Sequence, residues 1–349
     1  MSKDRKQTSL LKGNNHDRVS RRAFLVKSAG LAGALMAAGP RVLAAESGAV
    51  ARLTVQERGR VRVLAFTDLH FFNRPRYKDA WTMKEIKRMV TNNQPDLIVV
   101  CGDMWMENPR GRGFKYCEWA CEQMAQLRTP WALARGNHDK ADDSAQVDEL
   151  LANAPYSQYR GAGTNGNYTI EITNPGESRP FWDLIIINDA FPEMGFKQPQ
   201  IDWFNAEAAR IKAKYSPAPP AFVFAHIPLP QYQDLVEAGL AHGVKQELSY
   251  NEEGSRDALA ALRDSGMVRA MFCGHDHVNN YYGVMEGVHL EYVRATGHGG
   301  YGGYQVRKGG TLITAEADHG KEDFFTESVF PWGRAFDWER EIEGAKKTA

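Results

Sequence analysis

Five short apolar runs, each stopping at a small polar cluster, organise this chain. Residues 61–66 give way to Asp68-Leu69-His70, and 97–101 to Gly102-Asp103. Residues 131–134 lead to Gly136-Asn137-His138-Asp139, 221–225 to His226, and 270–273 to Gly274-His275-Asp276-His277. Runs of this length and composition predict buried strands. Helical periodicity falls between them, over 84–92 (ending before Gln94-Pro95), 116–126, 200–212 and 255–262. With strands at 61–67, 96–101 and 131–134, the chain opens in the β-α-β-α-β order of a parallel, doubly wound sheet.

The middle of the chain changes rhythm. Residues 167–172 alternate as a half-exposed strand does, and 182–187 read as a buried one. Asn174-Pro175-Gly176 between them is a turn signal, so a hairpin is predicted. Strands at 288–294 and 311–315 are expected to be antiparallel. No linker divides the chain after its first fifty residues. The expectation is an α/β (α+β) fold, one domain of two packed sheets flanked by helices.

Composition narrows the function classes. The chain has 349 residues, 43% of them hydrophobic, with 43 basic and 43 acidic side chains. Zero net charge without charged blocks argues against a general nucleic-acid or membrane-surface binder. The first 45 residues read as a cleaved export signal. A basic stretch leads to Ser20-Arg21-Arg22, a short apolar run spans 29–38, and small residues follow at 42–45. The paired arginines mark the twin-arginine type, and the apolar run is about half of the ~20 residues that span a bilayer. The expectation is a periplasmic or secreted protein. It would meet the twin-arginine export machinery before cleavage, and the mature form, from about Ala45 or Glu46 to 349, would not insert stably in a membrane. Four cysteines are too few for a disulfide scaffold. Cys101 and Cys273 end core strands, and Cys117 and Cys121 lie four apart on a helix, so free thiols are expected.

The strand tips carry the chemistry. Asp68 and His70 alternate along an extended segment and so point the same way, as do His275 and His277. With Asp103, Asn137 and His226 they offer four imidazoles, two carboxylates and one amide. One ion would be over-supplied. Two divalent ions about 3.5–4 Å apart, sharing a carboxylate, suit the set, with Asp103 as the candidate bridge. Mixed imidazole and carboxylate donors favour manganese, iron or zinc over magnesium or calcium.

These five fragments resemble, in order, the motifs of the calcineurin-like metallophosphoesterase superfamily, over residues 61–315. More narrowly the chain resembles the purple-acid-phosphatase-like branch, through Gly166-Asn167-Tyr168, His226-Ile227-Pro228-Leu229-Pro230, residues 272–277 and the stretch Thr296-Gly297-His298-Gly299-Gly300-Tyr301-Gly302-Gly303. The resemblance implies a four-layer αββα sandwich of two mixed sheets. It implies one metal held by Asp68, His70, Asp103 and His277, and a second by Asp103, Asn137, His226 and His275. His138 would be the catalytic acid or phosphate-binding group. Asp139 would orient the His138 imidazole or, on the plainer reading, cap a turn. Purple enzymes take a tyrosine ligand three residues after the bridging aspartate. Here that residue is Met106, so a colourless site of divalent ions, or at most a mixed one, is expected.

The implied activity is hydrolysis of small phosphate esters by metal-activated hydroxide, a phosphomonoesterase first. A phosphodiesterase acting on cyclic nucleotides or glycerophosphodiesters would use the same metals, and a non-catalytic metal-binding protein is the third reading. Asn279, Arg110 and Tyr301 are candidate substrate contacts, against their ordinary roles in turns and on surfaces. His242, His289 and His319 have no partners in sequence and read as structural or surface residues. Nothing in the sequence reads as a nucleobase pocket.

Overall fold

In the central strands of the eight-stranded sheet, alternate residues face two different cores. Phe222, Phe224, Ala270 and Phe272 join one apolar cluster, while their neighbours Ala221, Val223 and Met271 join another. A strand buried on both faces is one packed on both sides, so this sheet lies inside a layered stack.

A computed structural model describes residues 50–72, 77–251, 254–303, 306–318 and 321–332. The proposed export segment 1–45 and His319 lie outside the described residues. The elements run β1 Val50–Thr54, β2 Arg60–Phe66, α1 Lys78–Asn93, β3 Leu97–Cys101, α2 Gly113–Ala125, β4 Trp131–Ala134, α3 Ser144–Asn153, β5 Tyr168–Thr173 and β6 Pro180–Ile186. There follow α4 Gln198–Lys214, β7 Ala221–Phe224, α5 Pro230–Glu237, β8 His242–Val244, α6 Asp257–Asp264, β9 Val268–Cys273, β10 Asn280–Met285, β11 Val288–Tyr292, β12 Gly310–Asp318 and β13 Lys321–Val329. One sheet has the order β1-β5-β6-β7-β9-β11-β10-β8, the other β13-β12-β2-β3-β4. Both are mixed.

The sheets face each other through aromatic side chains. Phe222 of β7 meets Phe324 of β13, with ring centroids 5.1 Å apart, and Trp182 packs against Phe222 at 4.8 Å. Ile86, Met89, Cys117, Val147 and Leu151 bring α1, α2 and α3 onto the core of the five-stranded sheet. Ile201, Phe204, Ile211, Leu259 and Leu262 bring α4 and α6 onto the outer face of the other. This is the mixed α/β, αββα arrangement. All four cysteines are buried and free. Among the described residues no helix is long and apolar enough to cross a membrane.

Two expectations need correction. Residues of β5 are buried on both faces rather than half-exposed. Its polar face is covered by α4: Thr169 bonds Glu207 at 2.6 Å, and Glu171 accepts from Lys214 and Tyr215, each at 2.9 Å. Period-two alternation therefore reported a polar face without reporting that the face is covered. The terminal strands are antiparallel only in part: β12 is antiparallel to β2 and β13, and β11 is antiparallel to β10 but parallel to β9. The hairpin stands, with β5 and β6 antiparallel across Gly176, whose φ of 77° requires the left-handed freedom of glycine.

Candidate metal centre

Parallel strands place their carboxyl ends side by side, and ligands gather beyond such ends. Here β2, β3 and β4 of one sheet and β7 and β9 of the other end in one place. The ladder continues past the strands: Asp68 N–H donates to Gly102 O at 3.1 Å, His70 N–H to Asp103 O at 2.9 Å, and Gly274 N–H to His226 O at 3.0 Å. Close approach between these tips demands glycine. A Cβ on Gly136 would overlap the Asp103 backbone, and one on Gly274 would overlap the Thr67 hydroxyl. Neither has positive φ, so close approach explains them. The ligand residues carry the strained backbone instead. Asp68, His70, Asp103 and His275 have φ of 56°, 48°, 53° and 76°, a region that non-glycine residues seldom occupy and that clusters at functional sites.

The donors form two groups. In the first, His277 Nε2 lies 3.1 Å from Asp68 Oδ1 and 3.1 Å from His70 Nε2. In the second, His226 Nε2 lies 3.0 Å from Asn137 Oδ1, and His275 Nδ1 lies 3.1 Å from the same oxygen. Asp103 stands between them. Its Oδ1 accepts the His138 amide at 2.8 Å, leaving Oδ2 at 3.6 Å from His70 Nε2 and 3.3 Å from His226 Nε2. A single oxygen thus faces both groups.

Ring orientation follows from bonds on the far side of each imidazole. His226 Nδ1 donates to Cys101 O at 2.8 Å, and its backbone N–H donates to the buried Asp189 carboxylate at 3.0 Å. His70 Nδ1 lies 3.1 Å from Met106 Sδ. The residue at the purple-enzyme tyrosine position therefore backs a histidine and offers no phenolate.

The two carboxylates draw positive charge: against burial, Asp103 and Asp68 raise His226 to about 10. Burial holds His70 and His275 down at about 4, so both imidazoles keep a free lone pair at neutral pH. Burial opposes ionisation of Asp103, yet the neighbouring His226 and His70 hold its carboxyl down at about 2. Asp68 is likewise held well below the usual carboxylate range, by His277 against burial. Its Oδ1 is buried with no hydrogen-bond donor, a costly state for a carboxylate unless a cation meets it. The triads Asp68–His70–His277 and Asp68–Asp103–His226 each bring their donor atoms within 4.8 Å of one another.

His138 stands at the rim, its Nε2 4.0 Å from Asp103 Oδ2 and its side chain 29% exposed. Its Nδ1 lies 2.8 Å from Glu107 Oε1, though out of hydrogen-bond line. Asp139 does not orient it. Asp139 is buried and turns back, accepting the Trp105 N–H at 2.9 Å and the Gly136 N–H at 2.8 Å. The plainer reading, a turn clamp, is the one the geometry gives, and Glu107 is the carboxylate beside His138.

A cavity of about 490 Å³ opens over the donors, lined by His70, Asp103, Met106, His138, His277 and Tyr301 among others. Tyr301 stacks on His277, with centroids 4.1 Å apart and planes at 12°. The other two candidate contacts lie elsewhere. Asn279 is buried and its Oδ1 accepts the amides of Gln246 and Glu247 at 3.1 and 3.2 Å. Arg110 is exposed and outside the cavity lining. Of the spare histidines, His289 pairs with Glu291 at 2.7 Å and His242 is exposed. Glu107, Asp189 and Lys78, which also lines the cavity, carry no motif that marks them in sequence.

The fold and the donor set define a metallophosphoesterase, and residues 61–279 match the calcineurin-like phosphoesterase family, to which the chain belongs. Among curated proteins it is similar to probable inactive purple acid phosphatase 29 of Arabidopsis thaliana, 24% identical over 72% of this chain and 75% of that protein. It is also similar to Phosphatase DCR2 of Saccharomyces cerevisiae, 25% identical over 66% of this chain and 46% of that protein. Among solved structures it resembles a dimetal phosphatase from Danio rerio, with a TM-score of 0.55 at 11% identity, covering 80% of this chain and 99% of that one.

Proposed function

We propose that this chain is an exported, dinuclear-metal phosphomonoesterase of small phosphate esters. The observation that carries this reading is the free oxygen of Asp103. Oδ2 lies between His70 of one donor group and His226 of the other, with His138 Nε2 at 4.0 Å beside it. The ligands would be Asp68, His70, Asp103 and His277 for one ion, and Asp103, Asn137, His226 and His275 for the other. Two ions held there would supply positive charge for the phosphoryl oxygens and a water activated as nucleophile at neutral pH.

The chain's own part is positioning and proton handling. Cys101 O and Met106 hold His226 and His70 with Nε2 inward. His138 reaches into the cavity from its wall, where it can bond a phosphoryl oxygen or give a proton to the departing ester oxygen. As the water oxygen bonds to phosphorus, the bond to the ester oxygen breaks and that oxygen leaves protonated, as the alcohol.

Metal stoichiometry and aryl phosphate hydrolysis test the assignment together. Asp103→Ala should lose both ions and activity, whereas His138→Ala should keep the metal and lose roughly 10²–10⁴-fold in kcat, the usual worth of a general acid. Full activity of His138→Ala would overturn its role. The word inactive in several relatives' names favours a second reading, a metal-binding protein without turnover. Metal-loaded protein that hydrolyses neither mono- nor bis-(p-nitrophenyl) phosphate would establish that one, and faster hydrolysis of the bis ester would favour a diesterase. Export rests on Arg21-Arg22 and the apolar run after them. Retention of the double Arg21→Lys, Arg22→Lys variant in the cytoplasm would support it, and unchanged export would refute it.

A further inference from the structure

A second cavity, of about 630 Å³, adjoins the metal centre. Lys78, Gly300 and Tyr301 line both cavities, so the two share a wall. Its walls are large aromatics left in solvent: Tyr77, Trp81 and Trp332 are 82, 56 and 55% exposed, while Trp105, Trp131 and Trp182 are fully buried. These walls are braced. Trp81 stacks on His298 at 4.6 Å and 21°, and the Arg88 guanidinium lies 4.2 Å over the Trp332 ring.

The groove also carries unpaired positive charge. Lys78, Arg307 and Lys308 line it, and none has an acidic partner within ion-pair distance among the described residues. Lys308 is only 5% exposed. Its ammonium donates to Tyr301 O at 2.8 Å, the one bond it makes among the described residues. The one acid among the described lining residues, Glu85, is already engaged by His298 Nε2 and Trp81 Nε1, each at 2.8 Å. Flat exposed rings beside uncompensated cations are a site for a planar anion, held by stacking and by charge-assisted hydrogen bonds.

We infer that this groove holds the alcohol half of the substrate, a flat ring that carries a further anionic group, while the ester phosphate sits at the metal centre. The inference rests on the phosphoesterase reading of that centre. The metal-loaded enzyme is assayed on three alkyl phosphates of similar leaving group: glycerol 3-phosphate, adenosine 5′-monophosphate and adenosine 3′,5′-bisphosphate. The ring should raise kcat/KM at least about tenfold, the scale of base–aromatic stacking, and the second phosphate should raise it again. Trp81→Ala should cut the monophosphate-to-glycerol-phosphate ratio about tenfold, through KM, and Arg307→Ala should cut the bisphosphate-to-monophosphate ratio. Equal rates on all three esters, or ratios unmoved by both variants, would overturn the inference. Aryl phosphate hydrolysis by the same preparation keeps the readings apart: turnover without ring preference rejects the groove alone, and no turnover rejects the phosphoesterase. Quenching of tryptophan fluorescence by the bisphosphate reports binding without turnover. Quenching that Arg307→Ala weakens supports the groove, and no quenching rejects it.

Discussion

Gly300 offers the sharpest perturbation of the metal centre that touches no donor. A Cβ built there would overlap His277 Cε1 and lie 2.5 Å from Nδ1 of the same ring and 3.0 Å from His70 Cδ2. Carbon contacts settle near 3.5–4.0 Å, so Gly300→Ala must push the His277 ring, or the 299–301 backbone, by about 1 Å or more. His277 cannot retreat freely, because Tyr301 is stacked on it at 4.1 Å. A displacement of that size costs roughly 10²-fold in turnover and, through the misdirected ligand, roughly 10–100-fold in metal affinity. Gly303→Ala is the matched control in the same loop, since its Cβ would meet nothing closer than Lys308 Cε at 3.9 Å. Metal content after dialysis against graded chelator, read beside kcat/KM on an aryl phosphate, should separate the two variants. Both Tm values should stay near wild type, because the strain falls on the ligand loop and not on the sheets. Equal metal retention by Gly300→Ala and wild type would refute the claim that this loop sets the position of His277.

Two further outcomes follow from buried carboxylates. Asp183 of β6 is buried, its carboxyl oxygens have no hydrogen-bond donor, and it lies directly across from Glu171 of β5. Burial and the Glu171 charge push its carboxyl well above the usual range, so the folded protein keeps a proton that the unfolded chain has lost near neutral pH. Stability then falls as pH rises above the unfolded value, by up to about 1.4 kcal/mol per pH unit until the folded value is passed. Asp183→Asn should gain on wild type in urea midpoint between pH 5 and pH 7, and parallel pH profiles would exclude the effect. Asp139→Ala should lose about 2–6 kcal/mol, one buried amide acceptor each for Trp105 and Gly136. A Tm lower by roughly 5–20 °C would follow. Asp139→Ala protein of normal Tm but no activity would restore a catalytic role.

The donors were legible because each sits where an apolar run stops, and burial of the run fixes where its end emerges. Of the two readings open to Asp139, the turn cap holds and the orienting of His138 does not, because adjacency in sequence is not adjacency in space. It is next to His138 in the chain, yet the 136–139 turn carries its carboxylate back to Gly136 and Trp105. Glu107, Asp189 and Lys308 were not legible for the converse reason. Each reaches the site from a segment whose course depends on tertiary packing, and each is of a residue type common on surfaces. The groove walls come from residues 77–85, from 298–303 with 307–308, and from 331–332, stretches that no local pattern connects. Only the fold reveals that Tyr77, Trp81 and Trp332 face solvent together.

The strained backbone at the donors bears on how the centre is assembled. A left-handed conformation at a non-glycine residue costs of order 1–3 kcal/mol, and Asp68, His70, Asp103 and His275 all adopt it. Small metal domains obtain such geometry from the ion, whose binding energy is their folding energy. Here two sheets share an aromatic core, and the ladder runs on through Gly102 O, Asp103 O and His226 O beyond the last strand residues. These backbone bonds help to hold the strand tips, and bonds behind the rings, to Cys101 O and Met106, fix which nitrogen faces inward. Ions bound there would be discriminated by donor chemistry, since imidazole and carboxylate together suit several divalent metals. Close approach explains why the glycines lie between the tips. Strand ends can converge on one oxygen only where no Cβ intervenes, so the space for the ions is made by residues that cannot bind them.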